Sequence, residues 1–333
     1  MIEILKPGLL SSIQDLGRFG YQKFGVIVSG VMDQLAHRLA NLLVGNLETA
    51  PTLELTLLGP SIAFKEEALI AICGGDLSPI IDGKPVRMWR PIYVKAGSNL
   101  IFGPCRSGCR AYLAVAGGFD IPKVMESYST YIRAGIGGFK GRALKGGDNI
   151  PFGQRSSWAN RMIEGLAPEK KAAGVVEFSW SVAPDVLPLL ESEPKLRVMA
   201  GRQAHLFDHN SREKLFTEPF TISPQSDRMG YRLSGPQLKL ETPEELISEA
   251  VTFGTIQVPS NGNPIILLAD RQTTGGYPKI GQVITVDLPK IAQLKPGDKV
   301  RFQKVSQEEA QQLLLERELK IQQLKNGILL RSK

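Results

Sequence analysis

Lys95-Ala-Gly-Ser-Asn-Leu-Ile-Phe102 is the stretch from which the fold is read, because its pattern returns twice. Lys145-Gly-Gly-Asp-Asn-Ile-Pro-Phe152 and Lys295-Pro-Gly-Asp-Lys-Val-Arg-Phe302 repeat the same order of lysine, glycine, aliphatic residue and phenylalanine. The glycine supplies the positive φ of a tight turn. The aliphatic residue and the phenylalanine stand two apart, so they share one face of the strand that follows. Working outward, Ala111-Tyr-Leu-Ala-Val-Ala-Gly117-Gly118-Phe119 is an apolar strand that ends in a Gly-Gly-aromatic turn. Pro264-Ile-Ile-Leu-Leu-Ala-Asp270, leading to Gly275-Gly276-Tyr277, echoes it. Asp15-Leu-Gly-Arg-Phe-Gly20-Tyr21 is echoed in turn by Asp227-Arg-Met-Gly230-Tyr231.

These echoes keep their order, which predicts two related halves. The first domain is expected over 1–152, a connecting segment over 153–195, and the second domain over 196–333 with a C-terminal helix. Short apolar or alternating strands are expected at Thr52–Leu57, Leu69–Cys73, Pro91–Lys95, Leu196–Ala200 and Ile265–Ala269, with Asp82-Gly83 as a hairpin turn. A helix is expected from Asp33 to Val44, capped by Asp33 and ended by Gly45. Ser306-Gln-Glu-Glu309 reads as a capping box for a final helix, and Asn326-Gly327 as its stop. The fold class expected is mostly β, barrel- or sandwich-like.

Composition narrows the function classes. The chain has 333 residues, 42% hydrophobic and 22% charged, which is globular. Its net charge is +7, but no basic run or stripe accompanies it, so nucleic-acid binding is not expected. No apolar run reaches the ~20 residues that span a bilayer. The start does not resemble a secretory signal, and Cys73, Cys105 and Cys109 suit a reducing compartment, so a cytoplasmic location is expected.

Familiar chemical motifs are missing. There is no phosphate-binding loop of the G-x-x-x-x-G-K-[ST] type. His205 and His209 have helical zinc spacing but no third ligand, so no metal is expected. Gly135-Ile-Gly-Gly-Phe-Lys-Gly141 is either a plain turn or a set of backbone donors for an anion. Two segments are denser in polar residues and glycine than a core requires. Asp270-Arg-Gln-Thr-Thr-Gly-Gly-Tyr-Pro-Lys279 follows a buried strand, and Ser226-Asp-Arg-Met-Gly-Tyr-Arg232 carries a matching charge pattern. Either each turn holds its own internal ion pair, or the two line one cleft. On the second reading Asp270, Arg271, Lys279 and Asp227 are the candidate catalytic residues. Arg228, Arg232, Gln257, Thr273, Thr274, Gly275, Gly276 and Tyr277 are the candidate substrate-binding residues, as cations, hydrogen-bond donors and a backbone open to close approach.

Ser226–Leu233, Gly254-Thr-Ile-Gln-Val-Pro259 and Asp270–Pro278 resemble signatures of the KipA family. So do Gln14-Asp-Leu-Gly-Arg18, Gly25–Asp33, Leu53–Pro60 and Arg133-Ala-Gly-Ile-Gly-Gly138. That family is also called the C subunit of bacterial 5-oxoprolinase (PxpC), or the biotin-dependent carboxyltransferase domain. It is similar to allophanate hydrolase subunit 2. The wording is nearest to its Bacillus branch. The resemblance implies two cyclophilin-like β-barrel domains. It implies one component of an ATP-dependent hydrolase, which opens 5-oxo-L-proline to L-glutamate. The other components would be the A subunit of 5-oxoprolinase and its KipI-type B subunit, and the chain would be inactive without them. Its alternative implication is regulatory: a KipA-type protein that binds and antagonises KipI, the inhibitor of a sporulation histidine kinase. Glu126-Ser-Tyr-Ser-Thr130 departs from the family's Gly-Ser-Arg-Ser-Thr and lacks its arginine. With no Met-Lys-Met segment, no covalent biotin is expected on this chain.

Overall fold

The computed structural model describes residues 1–242, 244 and 246–331; residues 332–333, at the end of the expected second domain, lie outside the described residues. The protein is mostly β, and it divides into two compact units. Unit 1 comprises Met1–Arg18, Asp33–Pro188 and Leu319–Lys333, and unit 2 comprises Phe19–Met32 and Leu189–Glu318.

Unit 1 contains two six-stranded sheets. The long central strands Ala68–Asp76 and Ser107–Val115 pair antiparallel in one of them. Ile2–Lys6, Ser61–Phe64 and Asn99–Phe102 pair in the other. Both sheets send side chains into a single core, with Ile2, Ile62, Phe64 and Leu100 from one and Leu53, Ile70, Ile92 and Leu113 from the other. The helix Gln34–Leu43 forms as its spacing predicts, with the Asp33 carboxylate accepting from the Ala36 amide at 2.9 Å.

The repeated lysine–glycine pattern is turn-into-strand punctuation. Gly97, Gly147 and Gly297 have φ of 88°, 86° and 93°. A Cβ at any of the three would meet nothing within 4 Å, so backbone conformation, not space, requires glycine there. Asp82 and Gly83 also both have positive φ, as the hairpin between Pro79–Ile81 and Lys84–Pro85 requires.

Unit 2 is a closed seven-stranded barrel. Gly230–Ser234, Ile265–Leu267, Thr255–Gln257, Lys279–Val283 and Lys195–Ala200 follow one another around it. Lys195–Ala200 then pairs parallel with Lys299–Lys304, which closes the ring through Phe220–Ile222. Its core includes Val198, Phe220, Tyr231, Ile256, Ile266 and Phe302.

The units divide the chain differently from the boundaries expected from sequence. Residues 153–188 count with unit 1, because Val175–Glu177 pairs antiparallel with Pro91–Val94 and Trp158 is buried. Residues 19–32 count with unit 2, and the final helix is divided at Glu318. That helix also runs on to Leu330, past the expected stop at Asn326-Gly327. Ile328 is buried and its carbonyl accepts from Trp158 Nε1 at 3.1 Å, so packing carries the helix through Gly327. Its start is the capping box expected: Ser306 N–H to Glu309 Oε2 at 2.8 Å, and Glu309 N–H to Ser306 Oγ at 3.1 Å. Among the described residues no helix is long and apolar enough to cross a membrane.

His37 makes unit 1 sensitive to acid. It is fully buried on the Asp33-capped helix, with Nε2 2.9 Å from the Glu48 carbonyl and Nδ1 2.8 Å from Thr52 Oγ1. The carbonyl can only accept, so Nε2 carries the proton and Nδ1 accepts from the threonine. Burial pushes the imidazole pKa down to about 4. The unfolded chain takes up a proton near pH 6.5 and the folded chain does not. The contribution is therefore complete above that pH and is lost as pH falls to about 4. It should amount to about 3 kcal/mol over that window. Urea midpoints at pH 7 and pH 4.5 should diverge more for the wild type than for His37→Gln, and equal divergence would exclude His37 as the source.

Candidate functional site

The barrel strands Gly230–Ser234 and Ile265–Leu267 are antiparallel neighbours, with Gly230 opposite Leu267. The residues just before one and just after the other therefore emerge at the same end. A backbone ladder continues past both strands, from Leu268 N–H to the Met229 carbonyl at 2.9 Å and from Asp270 N–H to the Arg228 carbonyl at 2.8 Å. Gly230 permits this approach, since a Cβ there would stand 2.9 Å from Ile265 Cγ2.

The two polar segments noted in the sequence thus meet. Arg228 Nε donates to Asp270 Oδ2 at 2.9 Å, and Nη2 donates to Oδ1 at 3.2 Å. Both residues are buried. Ser29 Oγ donates to Asp270 Oδ1 at 2.7 Å, and Arg228 Nη2 also reaches the Gly30 carbonyl. Ser29 itself lies in the left-handed region, at φ 56°. Holding a non-glycine residue there costs about 1–3 kcal/mol and needs surrounding structure to enforce it. The ion pair runs between the two turns, not within either one.

A second polar group lies on Lys279–Val283. Lys279 Nζ is 3.1 Å from Glu249 Oε2, which also accepts from Gln203 Nε2 at 3.0 Å, while Arg202 Nη1 is 3.3 Å from Glu249 Oε1. Glu249 is placed by a two-stranded ribbon in which it stands opposite Gly275, and Ala250 opposite Thr274. Hydrogen bonds from Lys279 and Gln203 hold the Glu249 carboxyl below the usual carboxylate range. Gln257 is buried beside the ribbon and donates to the Tyr277 carbonyl at 3.3 Å. A Cβ on Gly275 would stand 2.5 Å from Gln257 Nε2, so glycine is what admits this amide.

The remaining expected residues are placed less uniformly. Asp227 is exposed, and its carboxylate accepts from the Met229 amide at 2.8 Å, closing its own turn. Arg232, Thr274 and Tyr277 are exposed, while Thr273 and Gly276 are half-buried. Arg271 is half-buried and touches two backbone carbonyls, that of Val251 from Nε at 3.4 Å and that of Leu268 from Nη1 at 3.3 Å. Its guanidinium lies 6.0 Å from the centre of the Phe253 ring.

Ser29, Gly30, Gln203 and Glu249 were not singled out from sequence. Ser29 and Gly30 fall within the Gly25–Asp33 stretch, whose wording was its own signal. Gln203 and Glu249 carry no local signal, because they reach Lys279 through barrel and ribbon register. His205 and His209 fall in separate elements, the turn Ala204–Leu206 and the helix His209–Thr217. Among the described residues no group of three or more His, Cys, Asp or Glu is placed to hold a metal ion.

The family described as carboxyltransferase domain, subdomain A and B, matches residues 24–304. The chain is 38% identical over 310 residues to the 5-oxoprolinase C subunit of Escherichia coli, covering 93% of each chain. It is 37% identical over 325 residues to the 5-oxoprolinase C subunit of Haemophilus influenzae, covering 98% of each. Among solved structures it resembles Kluyveromyces lactis urea carboxylase at 32% identity and a TM-score of 0.87, with 98% of this chain and 29% of that one covered. For the K. lactis urea amidolyase the identity is 32% and the TM-score 0.85, over 96% of this chain and 20% of that one. The chain therefore spans less than a third of either solved protein.

Proposed function

Because the chain belongs to the carboxyltransferase-domain family, subdomain A and B, and is similar end to end to two 5-oxoprolinase C subunits, we propose that it is the C subunit of a 5-oxoprolinase. The end-to-end match is the observation that carries this reading. The reaction is the ATP-dependent opening of 5-oxo-L-proline to L-glutamate, in a complex with the enzyme's A subunit plus a KipI-type B subunit.

The substrate is a five-membered lactam bearing one carboxylate. Opening it breaks the ring C–N bond, builds negative charge on the carbonyl oxygen and requires a proton at the departing nitrogen. Lys279 suits this chemistry. Its ammonium is a compact positive charge held on a barrel strand and paired with Glu249, while Gln203 accepts from the Lys279 backbone N–H and donates to the same carboxylate. Asp270 and Arg228 have another task. They are bonded to each other, to the Ser29 hydroxyl and to the Gly30 carbonyl, so they fix the root of the Asp270–Lys279 loop. Gly275 lets the Gln257 amide pack against that loop's backbone. ATP supplies the driving force when bound to the complex, and no nucleotide contact is assigned to this chain's residues.

Mixing the chain with its partner subunits should give glutamate from 5-oxo-L-proline only when ATP is present, and each component on its own should give none. Failure of every combination to release glutamate would overturn the reading. The fold shared with urea carboxylase favours one competing reaction, carboxyl transfer from biotin carried by another protein. Loss of the activity on adding avidin would favour that reaction.

A further inference from the structure

Four cations stand in the two polar segments, and their charges are matched very differently. Arg228 is bound side-on by Asp270. Lys279 is paired with Glu249. Arg232 is exposed to solvent, which screens it. Arg271 alone among these four is half-withdrawn from solvent without a carboxylate: among the described residues it has carbonyl contacts of 3.3 and 3.4 Å and the Phe253 ring, and no ion pair.

We propose that Arg271 is the anchor for the substrate carboxylate, the group that selects 5-oxoproline over a lactam without one. The inference rests on the 5-oxoprolinase reading for the identity of the ligand. It rests on the geometry alone for the carboxylate chemistry. A guanidinium presents five N–H donors in a planar fork, and two long carbonyl contacts leave most of them for a ligand. A carboxylate matches that fork side-on, with two parallel hydrogen bonds. Desolvation without a counter-charge is unfavourable, and it holds the Arg271 pKa below the usual arginine value; an incoming anion relieves it. The residue is also well placed in the chain. Arg271 follows Asp270, whose carboxylate is pinned to Arg228, and its N–H is bonded to the Leu268 carbonyl at 3.2 Å. The backbone bearing the fork is therefore fixed before any ligand arrives, which lowers the entropy lost on binding.

Two measurements test this. In the assembled complex, Arg271→Gln should raise the KM for 5-oxo-L-proline about 10- to 100-fold, the loss expected for a charge-assisted pair, with a much smaller change in kcat. Arg271→Lys should restore part of it. Arg271→Gln should leave turnover of 2-pyrrolidinone, the ring without the carboxylate, as poor as it is in the wild type. An unchanged KM for 5-oxo-L-proline would overturn the proposal. The second measurement needs no variant and no turnover. Modification of Arg271 by phenylglyoxal in the unaltered protein is followed by peptide mapping, with exposed Arg106 as the internal reference. Protection by 5-oxo-L-proline and not by 2-pyrrolidinone supports the anchor, and equal labelling with and without 5-oxo-L-proline overturns it. Protection by simple carboxylates, with no combination of the subunits releasing glutamate, would uphold the anchor while removing the 5-oxoprolinase reading.

Discussion

Asp270→Leu should lower the free energy of unfolding by about 3–5 kcal/mol, the cost of breaking a buried ion pair from one side. Arg228 would keep the Gly30 carbonyl but lose both bonds to the carboxylate, and the side chains of the pair are only 8% and 9% exposed. Ser29 Oγ would lose its acceptor as well. Asp270→Leu combined with Arg228→Met should recover much of the loss, since an apolar pair of similar volume carries no stranded charge. Denaturant unfolding of the two single variants and the double variant measures the coupling. A loss for Asp270→Leu no larger than the ~1 kcal/mol of an exposed pair would show that the pair does not hold the loop.

Lys279→Met should act in the opposite way, with a large effect on turnover and a small one on stability. Removing a group that faces developing charge or moves a proton lowers kcat by about 10²–10⁴-fold. Glu249 keeps Gln203 and Arg202 as partners, and its side chain is 34% exposed, so its charge is not stranded. The unfolding midpoint should therefore shift little. Glutamate release by the complex, read beside the melting curve of the same preparation, separates the two roles. A Lys279→Met complex with wild-type turnover would remove Lys279 from the chemistry.

Elements with strong local grammar were legible in the sequence. Asp33, Leu35, Leu39 and Gly45 sufficed for the helix Gln34–Leu43, and the three lysine–glycine turns marked strands in both units. The proximity of Asp227–Arg232 to Asp270–Lys279 was an expectation drawn from charge pattern, and in the structure strand pairing brings Arg228 to Asp270. Whether Asp227 closes its own turn or faces a ligand could not be read, because an Asx turn and a catalytic carboxylate have the same spelling. Glu249 escaped notice because its place depends on ribbon register, which no local periodicity reports. The helix stop at Gly327 misled for a related reason: a glycine that ends an isolated helix is carried through when Ile328 has a core to enter.

The hydrogen bond from Ser29 to Asp270 joins residues 241 positions apart, and the barrel closes only when Lys299–Lys304 pairs with Lys195–Ala200. On a ribosome, residues 19–32 emerge early, and their docking partners appear only after most of the chain has been made. Contacts of such long sequence separation form late and slowly. Until then Phe19 and Phe24, exposed even in the folded unit, have no barrel to belong to. The nascent chain thus carries a waiting segment through most of its synthesis. A truncation that stops short of residue 270 would strand it, making the length of chain already synthesised the factor that decides when unit 2 can fold.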